Sequence, residues 1–155
     1  GTYAGLDRGI YTWWKSHVSA NGGTPRALTE ELIRDVKSTV EARGGRVTAI
    51  YAGSTQWYKY GDLLRAERRQ QNPASLTGGY QALDFEGVPL IKVPGYPQTR
   101  MDFVDEELLE YVVLKDFEAK PMAKTKDSDV IWITHYSQLV CRNPYRMGSL
   151  QDLAQ

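Results

Sequence analysis

The chain has 155 residues, of which 41% are hydrophobic and 25% charged, and its formal net charge at pH 7 is zero. This length suits one domain, or one domain and part of a second, and the composition excludes a disordered chain. A neutral chain has no global field that would draw it to nucleic acid or membrane. Because Cys141 is the single cysteine, neither an intrachain disulfide nor a cysteine-rich zinc site is expected. No apolar run approaches the roughly 20 residues of a membrane span.

Residues 1–23 hold several Tyr and Trp side chains among glycines and polar residues. The pattern predicts an irregular, aromatic-rich initial segment with a short extended piece at Ile10–Trp14. The adjacent Trp13 and Trp14 need cover, either from the core of the domain or from a neighbouring chain. The start also lacks a methionine and a signal peptide, so we expect a fragment or a processed product.

The first half of the chain predicts helices. Thr29 is the expected N-cap of a helix that presents one aliphatic stripe and ends at Gly44-Gly45. A short strand over Val47–Ala52 follows, and Ser54 or Thr55 is expected to cap a second helix that runs to about Gln70.

The second half predicts strands. A hairpin over Tyr80–Phe85 and Val88–Val93 turns at Glu86-Gly87. The other predicted elements are a strand at Met101–Val104, a helical turn from Asp105 that leads into a strand ending near Phe117, a polar loop over Ala119–Asp127, and a long closing strand from Val130. That closing strand must pair with an earlier part of the chain. The fold class is therefore α+β, with helices in the first half and an antiparallel or mixed sheet in the second.

The candidate catalytic groups do not form a recognisable site. His135 lies six residues before Cys141, and on one strand this spacing separates them by about 20 Å, too far for a nucleophile–base pair. Neither His17 nor His135 has a partner at metal-ligand spacing, and no phosphate-binding glycine pattern is present. We therefore predict no catalytic, cofactor-binding or metal residues and no cofactor. A hydrolase that uses Cys141 stays open as an alternative.

Oppositely charged segments predict a candidate surface for self-association. A basic cluster ends the second helix, and an acidic cluster precedes the strand that follows Met101–Val104. Opposite patches on a neutral subunit suit head-to-tail contacts that close a ring, and ordinary solvated surface is the alternative. With the two tryptophans, the candidate interface residues are Trp13, Trp14, Arg65, Arg68, Arg69, Asp105, Glu106 and Glu107.

Four segments, in order, resemble the major capsid proteins of tailed bacteriophages and prophages. Gly5–Trp14 is similar to a "G-I-D-R … W-W" segment, and Tyr80–Ile91 is similar to an "F-x-G-V-P" hairpin. Met101–Asp105 lies where the family has "M-Y-F-L-N", and Gln138–Pro144 matches a closing "Q-L-V-C-R-N-P". The last match is the most specific of the four.

The resemblance implies a Hong Kong ninety-seven-type capsid fold. Residues 1–155 would form a single capsid-type domain: the axial domain with part of the peripheral domain. The amino-terminal arm and the extended loop of the family would be missing, which makes this chain the carboxyl-terminal portion of a capsid protein.

The implied function is that of a structural subunit, not an enzyme. Copies of it would form the pentamers and hexamers of an icosahedral shell around viral DNA. The implied partners are further copies, scaffold, portal and maturation protease, with DNA as enclosed cargo and no membrane. The implied location is the virion, after assembly in the cytoplasm of the bacterial host. A cellular nanocompartment shell of the encapsulin kind is the main alternative.

Overall fold

The computed structural model describes residues 2–66, 74–75, 81–122 and 130–155. The elements group into two compact units, the sheet unit (Gly1–Glu106 with Asn143–Gln155) and the ribbon unit (Glu107–Arg142). In chain order the elements are β1 (Thr2–Tyr3), β2 (Leu6–Asp7), β3 (His17–Ser19), α1 (Glu30–Ala42), β4 (Ala49–Ala52), α2 (Ser54–Ala66), β5 (Ala74–Ser75), β6 (Gln81–Phe85), β7 (Val88–Lys92), β8 (Met101–Val104), β9 (Leu109–Pro121), β10 (Ile131–Cys141) and β11 (Gly148–Leu150). The α+β prediction is confirmed, whereas a single domain over 1–155 stays a prediction.

The sheet unit is built on a mixed seven-stranded sheet in the order β3-β11-β8-β4-β7-β6-β5. Strand β11 is parallel to β3, β4 is parallel to β7, and the other pairs are antiparallel. The last strand of the chain therefore lies between one of the first strands and β8. Residues from both ends of the sequence are needed to complete the sheet.

Helix α1 forms as its local sequence predicts. The Thr29 hydroxyl accepts a hydrogen bond from the Leu32 N–H at 3.3 Å, which makes Thr29 the N-cap. Ile33, Val36 and Val40 are fully buried on the predicted stripe. Burial of each such side chain contributes about 1.5–3 kcal/mol. The helix ends before Gly44, whose φ of +76° suits glycine.

Helix α2 begins differently from the prediction. Ser54 is its first residue rather than its cap, and the Thr55 N–H donates to the side-chain oxygen of Gln98 at 2.8 Å. The buried Gln56 amide donates to the main-chain oxygens of Gln98 and Ala154. A side chain more than 40 residues away thus serves the amino terminus of α2, and no local motif indicates this. The expected end near Gln70 lies outside the described residues.

Both helices pack on the same face of the sheet. The core includes Leu90 of β7, Ile50 of β4 and Phe103 of β8. These three strands are adjacent, and the three side chains point to that face and have no exposed surface. Tyr60 of α2 packs edge-on against Phe85 and donates its hydroxyl to the Asp84 carbonyl at 2.9 Å. This is the two-layer arrangement expected of an α+β domain.

The predicted hairpin is confirmed for the part that the structure describes. Strands β6 and β7 are antiparallel, and Glu86 and Gly87 both have positive φ, +50° and +82°. Positive φ at both central residues is the requirement of a two-residue turn whose twist matches the strands. The expected first residue, Tyr80, is not among the described residues.

The closing strand pairs with an earlier part of the chain, as predicted, but the predictions for its neighbours need correction. Strand β10 pairs with β9 in a separate two-stranded ribbon. Strand β9 is slightly longer than β10 and offers ten paired positions, whereas the strands of the large sheet have two to five residues. Ala119–Pro121 belongs to β9 rather than to a polar loop, since these residues pair with Ile131–Ile133; residues 123–129 lie outside the described ranges. The extended piece expected at Ile10–Trp14 is wrong, because Thr12–Trp14 forms a turn of 3-10 helix.

Asp152 joins the carboxyl-terminal segment to the loop after β3. Its Oδ2 atom accepts hydrogen bonds from the Asn21 N–H at 2.7 Å and the Gly23 N–H at 2.9 Å. These two bonds, Gly23 first, lower the pKa of the Asp152 carboxyl. The residue has a φ of +58°, which asparagine tolerates better than alanine does.

Replacing Asp152 tests this connection. We expect Asp152→Ala to lower the melting temperature at pH 7 and Asp152→Asn to lower it less, because the amide oxygen still accepts a hydrogen bond and asparagine tolerates the backbone. A lowered folded-state pKa stabilises the fold above the ordinary pKa of 3.8 and loses this effect as the pH falls through the folded-state value. The gap between wild type and Asp152→Ala should therefore narrow on acidification below about pH 4. A gap that widens in acid would contradict this assignment.

Gly148 sets the distance between α1 and the sheet. A Cβ atom there would lie 2.7 Å from Val40 Cγ2 and 2.9 Å from Val36 Cγ1. We expect Gly148→Ala to destabilise the protein by about 1–3 kcal/mol through overpacking. Val40→Ala should restore part of this loss in the double variant, because it removes the nearest clashing methyl group. Additive losses in urea unfolding would show that the close contact is not the cause.

Candidate assembly surfaces

The ribbon unit is an antiparallel pair of long strands, β9 of 13 residues and β10 of 11. The pairing runs from Ile131 opposite Pro121 to Cys141 opposite Leu109, with irregular register around Tyr136. A two-stranded ribbon is marginally stable in water without a further layer. Most of its side chains are nevertheless exposed.

One face of the ribbon unit is apolar at both ends, on either side of His135 and Ser137. Side chains alternate between faces along a strand, and the register places Tyr111 opposite Leu139 and Ala119 opposite Ile133. Ile133 is 66% exposed and Leu139 is 60% exposed. We define the apolar ribbon face as the exposed side chains of this set: Tyr111, Val113, Ile131, Ile133 and Leu139.

The opposite face carries charges that are paired within the unit. The Arg142 guanidinium binds Glu110 at 2.6 and 2.7 Å. Glu118 pairs with Lys115 and Lys120, and the hydrogen bond from Lys115 is the main cause of the lowered pKa of the Glu118 carboxyl. These ion pairs are exposed and contribute little to stability. The same face also presents Trp132 and Tyr136, which are 59% and 56% exposed.

His135 belongs to a side-chain cluster of the ribbon unit. Its ring stacks on Phe117 at 4.2 Å between centroids, and the Tyr111 hydroxyl lies 3.1 Å from its Nε2 atom. Tyr111 also donates to the Ser137 hydroxyl at 2.5 Å. The tyrosine thus stands between the serine and the histidine, so the cluster does not have the nucleophile–base contact of a hydrolase.

The aromatic side chains of the initial segment stack on each other. Trp13 and Trp14 meet edge-on at 5.7 Å, Tyr11 lies 5.9 Å from Trp13, and Tyr3 lies 6.4 Å from Trp14. Trp14 is half-buried, whereas Trp13 is 58% exposed. Core packing, the simpler of the two expectations, is therefore wrong for Trp13. The other expectation, cover by a neighbouring chain, stays a prediction for it.

The predicted charged residues that the structure describes lie in different environments. Arg65 is exposed on α2 and lies 3.5 Å from Asp62, whereas Arg68 and Arg69 are outside the described residues. Asp105 is only 6% exposed, so its carboxylate lies inside the fold and not on a contact surface.

The two glutamates that follow Asp105 are exposed. Glu106 accepts the Tyr51 hydroxyl at 2.5 Å, and its N–H donates to Thr48 at 2.9 Å. Burial, and then the bond to Glu106, raise the pKa of Tyr51 to about 12. Glu107 begins the ribbon unit. The acidic patch is thus partly committed to internal contacts, and an interface role for its exposed members stays a prediction.

Sequence reasoning did not single out the apolar ribbon face as a site. The sequence did carry a signal for it, since β-branched and aromatic residues occupy both strands and every second position has few charged residues. A run of such residues without Gly or Pro predicts a strand. It does not show whether another element of the chain covers the faces of that strand.

Comparison with solved structures identifies the fold. Over its whole length the chain is similar to the capsid asymmetric unit of cyanophage A-1(L), with a TM-score of 0.75 and 14% identity, and it covers 55% of that chain. Over 90% of its length it is also similar to the holo-SrpI encapsulin complex of Synechococcus elongatus PCC 7942, with a TM-score of 0.67 and 13% identity. It covers 53% of the encapsulin chain, so it spans about half the length of either neighbour. The fold is that of capsid shell proteins, as the resemblance implied.

The family follows from the sequence match. The SU10 major capsid protein family matches residues 1–154, so the chain belongs to that family. No curated protein matches the chain. Membership confirms the relationship to phage major capsid proteins that the sequence motifs indicated. Among the described residues, no helix is long and apolar enough to cross a membrane.

The two tryptophans should differ on substitution. We expect Trp14→Ala to lower the melting temperature more than Trp13→Ala, because Trp14 is half-buried between Tyr3 and Trp13. Trp13→Ala should instead reduce particle yield if a neighbouring copy covers that ring. Equal losses of stability, with particle yield unchanged in both variants, would contradict this division of roles.

Proposed function

We propose that copies of this protein form the pentamers and hexamers of an icosahedral phage or prophage shell that encloses viral DNA. The observation that carries the proposal is the apolar ribbon face, which presents large side chains to solvent on a ribbon with no third strand among the described residues. Exposed apolar surface on this scale is typical of interaction sites. Family membership supports self-association as the use of that surface.

The energetics favour cover of this face in the assembled state. Full burial of a large aliphatic side chain contributes about 1.5–3 kcal/mol, and four such side chains lie with Tyr111 on one face. A shell repeats each contact many times, so moderate contacts add up to a stable particle. The ion pairs on the opposite face already satisfy their own charges, which is consistent with a rim exposed to solvent.

The proposal extends to partners and place of assembly. Scaffold, portal and maturation protease of the same phage would act with this subunit, and assembly would take place in the cytoplasm of the bacterial host. DNA would be enclosed cargo. The family relationship supports these roles, and each is open to test by co-expression.

A cellular nanocompartment shell is the second candidate, and the similarity to an encapsulin favours it. A shared fold does not decide between the two, because one fold serves many functions. The contents of purified particles distinguish them: packaged DNA supports the phage shell, and an enzyme cargo supports the nanocompartment. The hydrolase alternative gains no support from the cluster around His135.

A charge on the apolar ribbon face should block assembly. We expect Leu139→Lys and Ile133→Lys, in the full-length protein co-expressed with the assembly factors of its phage, to abolish particles in electron micrographs. The physical reason is that an interface would have to bury an unpaired ammonium group.

Gln138→Lys is the matched control, because Gln138 is exposed on the opposite face of the same strand. It adds the same charge and should leave particles intact. The subunits should stay soluble and folded in all three variants. Normal particles from Leu139→Lys and Ile133→Lys would overturn the assignment of this face.

A further inference from the structure

A cavity of about 270 Å³ opens in the sheet unit between the initial segment and the end of α1. It is lined by Thr12, Lys15, Ser16, His17, Val18 and Arg43. Three of these side chains are basic, two carry hydroxyl groups and none is acidic. Capsid contacts as proposed above make no use of it.

The two permanent cations of the cavity have no counter-ion within the described part of the chain. Neither Lys15 nor Arg43 forms an ion pair there, whereas Arg34, Lys37, Arg100 and Arg142 each bind a carboxylate. The Arg43 guanidinium is held 4.9 Å above the Tyr145 ring, which fixes it beside the cavity. Two cations are thus placed around one space without internal neutralisation.

His17 adds a directional group. Its Nε2 atom is buried and has no hydrogen-bond partner among the described residues. Its main chain is held in place, because the N–H donates to the Met147 carbonyl at 3.0 Å and the residue pairs with Gly148 of β11. Burial and then the charge of Arg43 lower the pKa of the imidazole, while Asp35 acts in the opposite sense. An unpartnered buried ring nitrogen next to two cations is the kind of polar atom that a bound group would satisfy.

Two opposing effects act at this place, and neither removes the positive balance. The carboxyl end of α1 carries a partial negative charge. However, its last carbonyls already accept hydrogen bonds from the N–H groups of Arg43, Gly44 and Gly45. Among the described residues, Asp35 carries the one negative charge that acts on His17. Lys15 and Arg43 outweigh it with two positive charges.

We propose that this cavity binds a phosphate group, with Arg43 and Lys15 as charge partners and Thr12, Ser16 and His17 as hydrogen-bonding groups. A tetrahedral oxyanion accepts several hydrogen bonds at once, which suits guanidinium, ammonium, hydroxyl and imidazole donors around one space. Inorganic phosphate and the backbone of a polynucleotide both present this group, so the recognised chemistry is the same for either source.

Binding of inorganic phosphate to the full-length protein, measured by calorimetry at constant ionic strength, tests the proposal. We expect saturable binding that weakens about tenfold in Arg43→Gln and in Lys15→Gln, the effect of losing one charge-assisted contact. Arg65→Gln is the matched control, because Arg65 is an exposed arginine elsewhere in the sheet unit, and it should bind as wild type does. If Arg43→Gln does not fold, the exposed Lys15 decides the question alone.

A second arm uses a single-stranded oligonucleotide in competition with inorganic phosphate. Displacement of phosphate by the oligonucleotide, lost in Lys15→Gln, supports the site with a polynucleotide as its source. Phosphate binding without competition supports the site with free phosphate as its source. Absence of saturable binding, or equal binding by all variants, overturns the proposal. So does a loss of self-association in Lys15→Gln with phosphate binding intact, because the cavity would then hold a carboxylate of a second copy.

Discussion

The contact between Gly148 and the valines of α1 is the constraint on which the sheet unit depends. Strand β11 fits between β3 and β8 beneath α1 because its first residue has no side chain, which lets Val36 and Val40 lie directly over it. Its other neighbour, β3, comes from the start of the sequence. The chain ends are therefore held together through β11, and the Asp152 hydrogen bonds extend that connection to the loop after β3. The cavity at His17 and Arg43 lies at this same junction, since His17 is in β3 and Arg43 follows α1.

The ribbon unit follows a different logic. The sheet unit buries its aliphatic side chains under two helices, whereas the ribbon unit exposes apolar side chains on both faces and pairs its charges on one of them. A two-stranded ribbon of this kind is marginally stable without a further layer. In the proposed shell, neighbouring copies would supply that layer.

Local signals in the sequence account for the parts that were predicted. The α1 helix carries its own cap, stripe and terminating glycines, and the β6–β7 hairpin carries its turn residues. Non-local contacts account for the parts that were missed. The side chain of Gln98 binds the amino terminus of α2, β11 has only three residues, and β10 pairs with β9 rather than with a strand of the large sheet. Alternation identifies a strand, but it does not identify its partner.

The candidate site shows the same limit. The tryptophans were singled out from composition as side chains that need cover, but the core does not cover Trp13, which is exposed. The burial of Asp105 follows from its position directly after β8 and not from its charge. Only some side chains of the acidic segment are therefore exposed on the surface. The apolar ribbon face became visible only when the register placed its members on one side.

Amide hydrogen exchange of β10, compared between unassembled subunits and purified particles, tests the central claim most directly. Burial of the apolar ribbon face between copies predicts that exchange within Ile131–Cys141 slows on assembly, while exchange in the core strand β4 stays the same. Equal exchange of β10 in both states would contradict the claim that this face forms the contact between subunits.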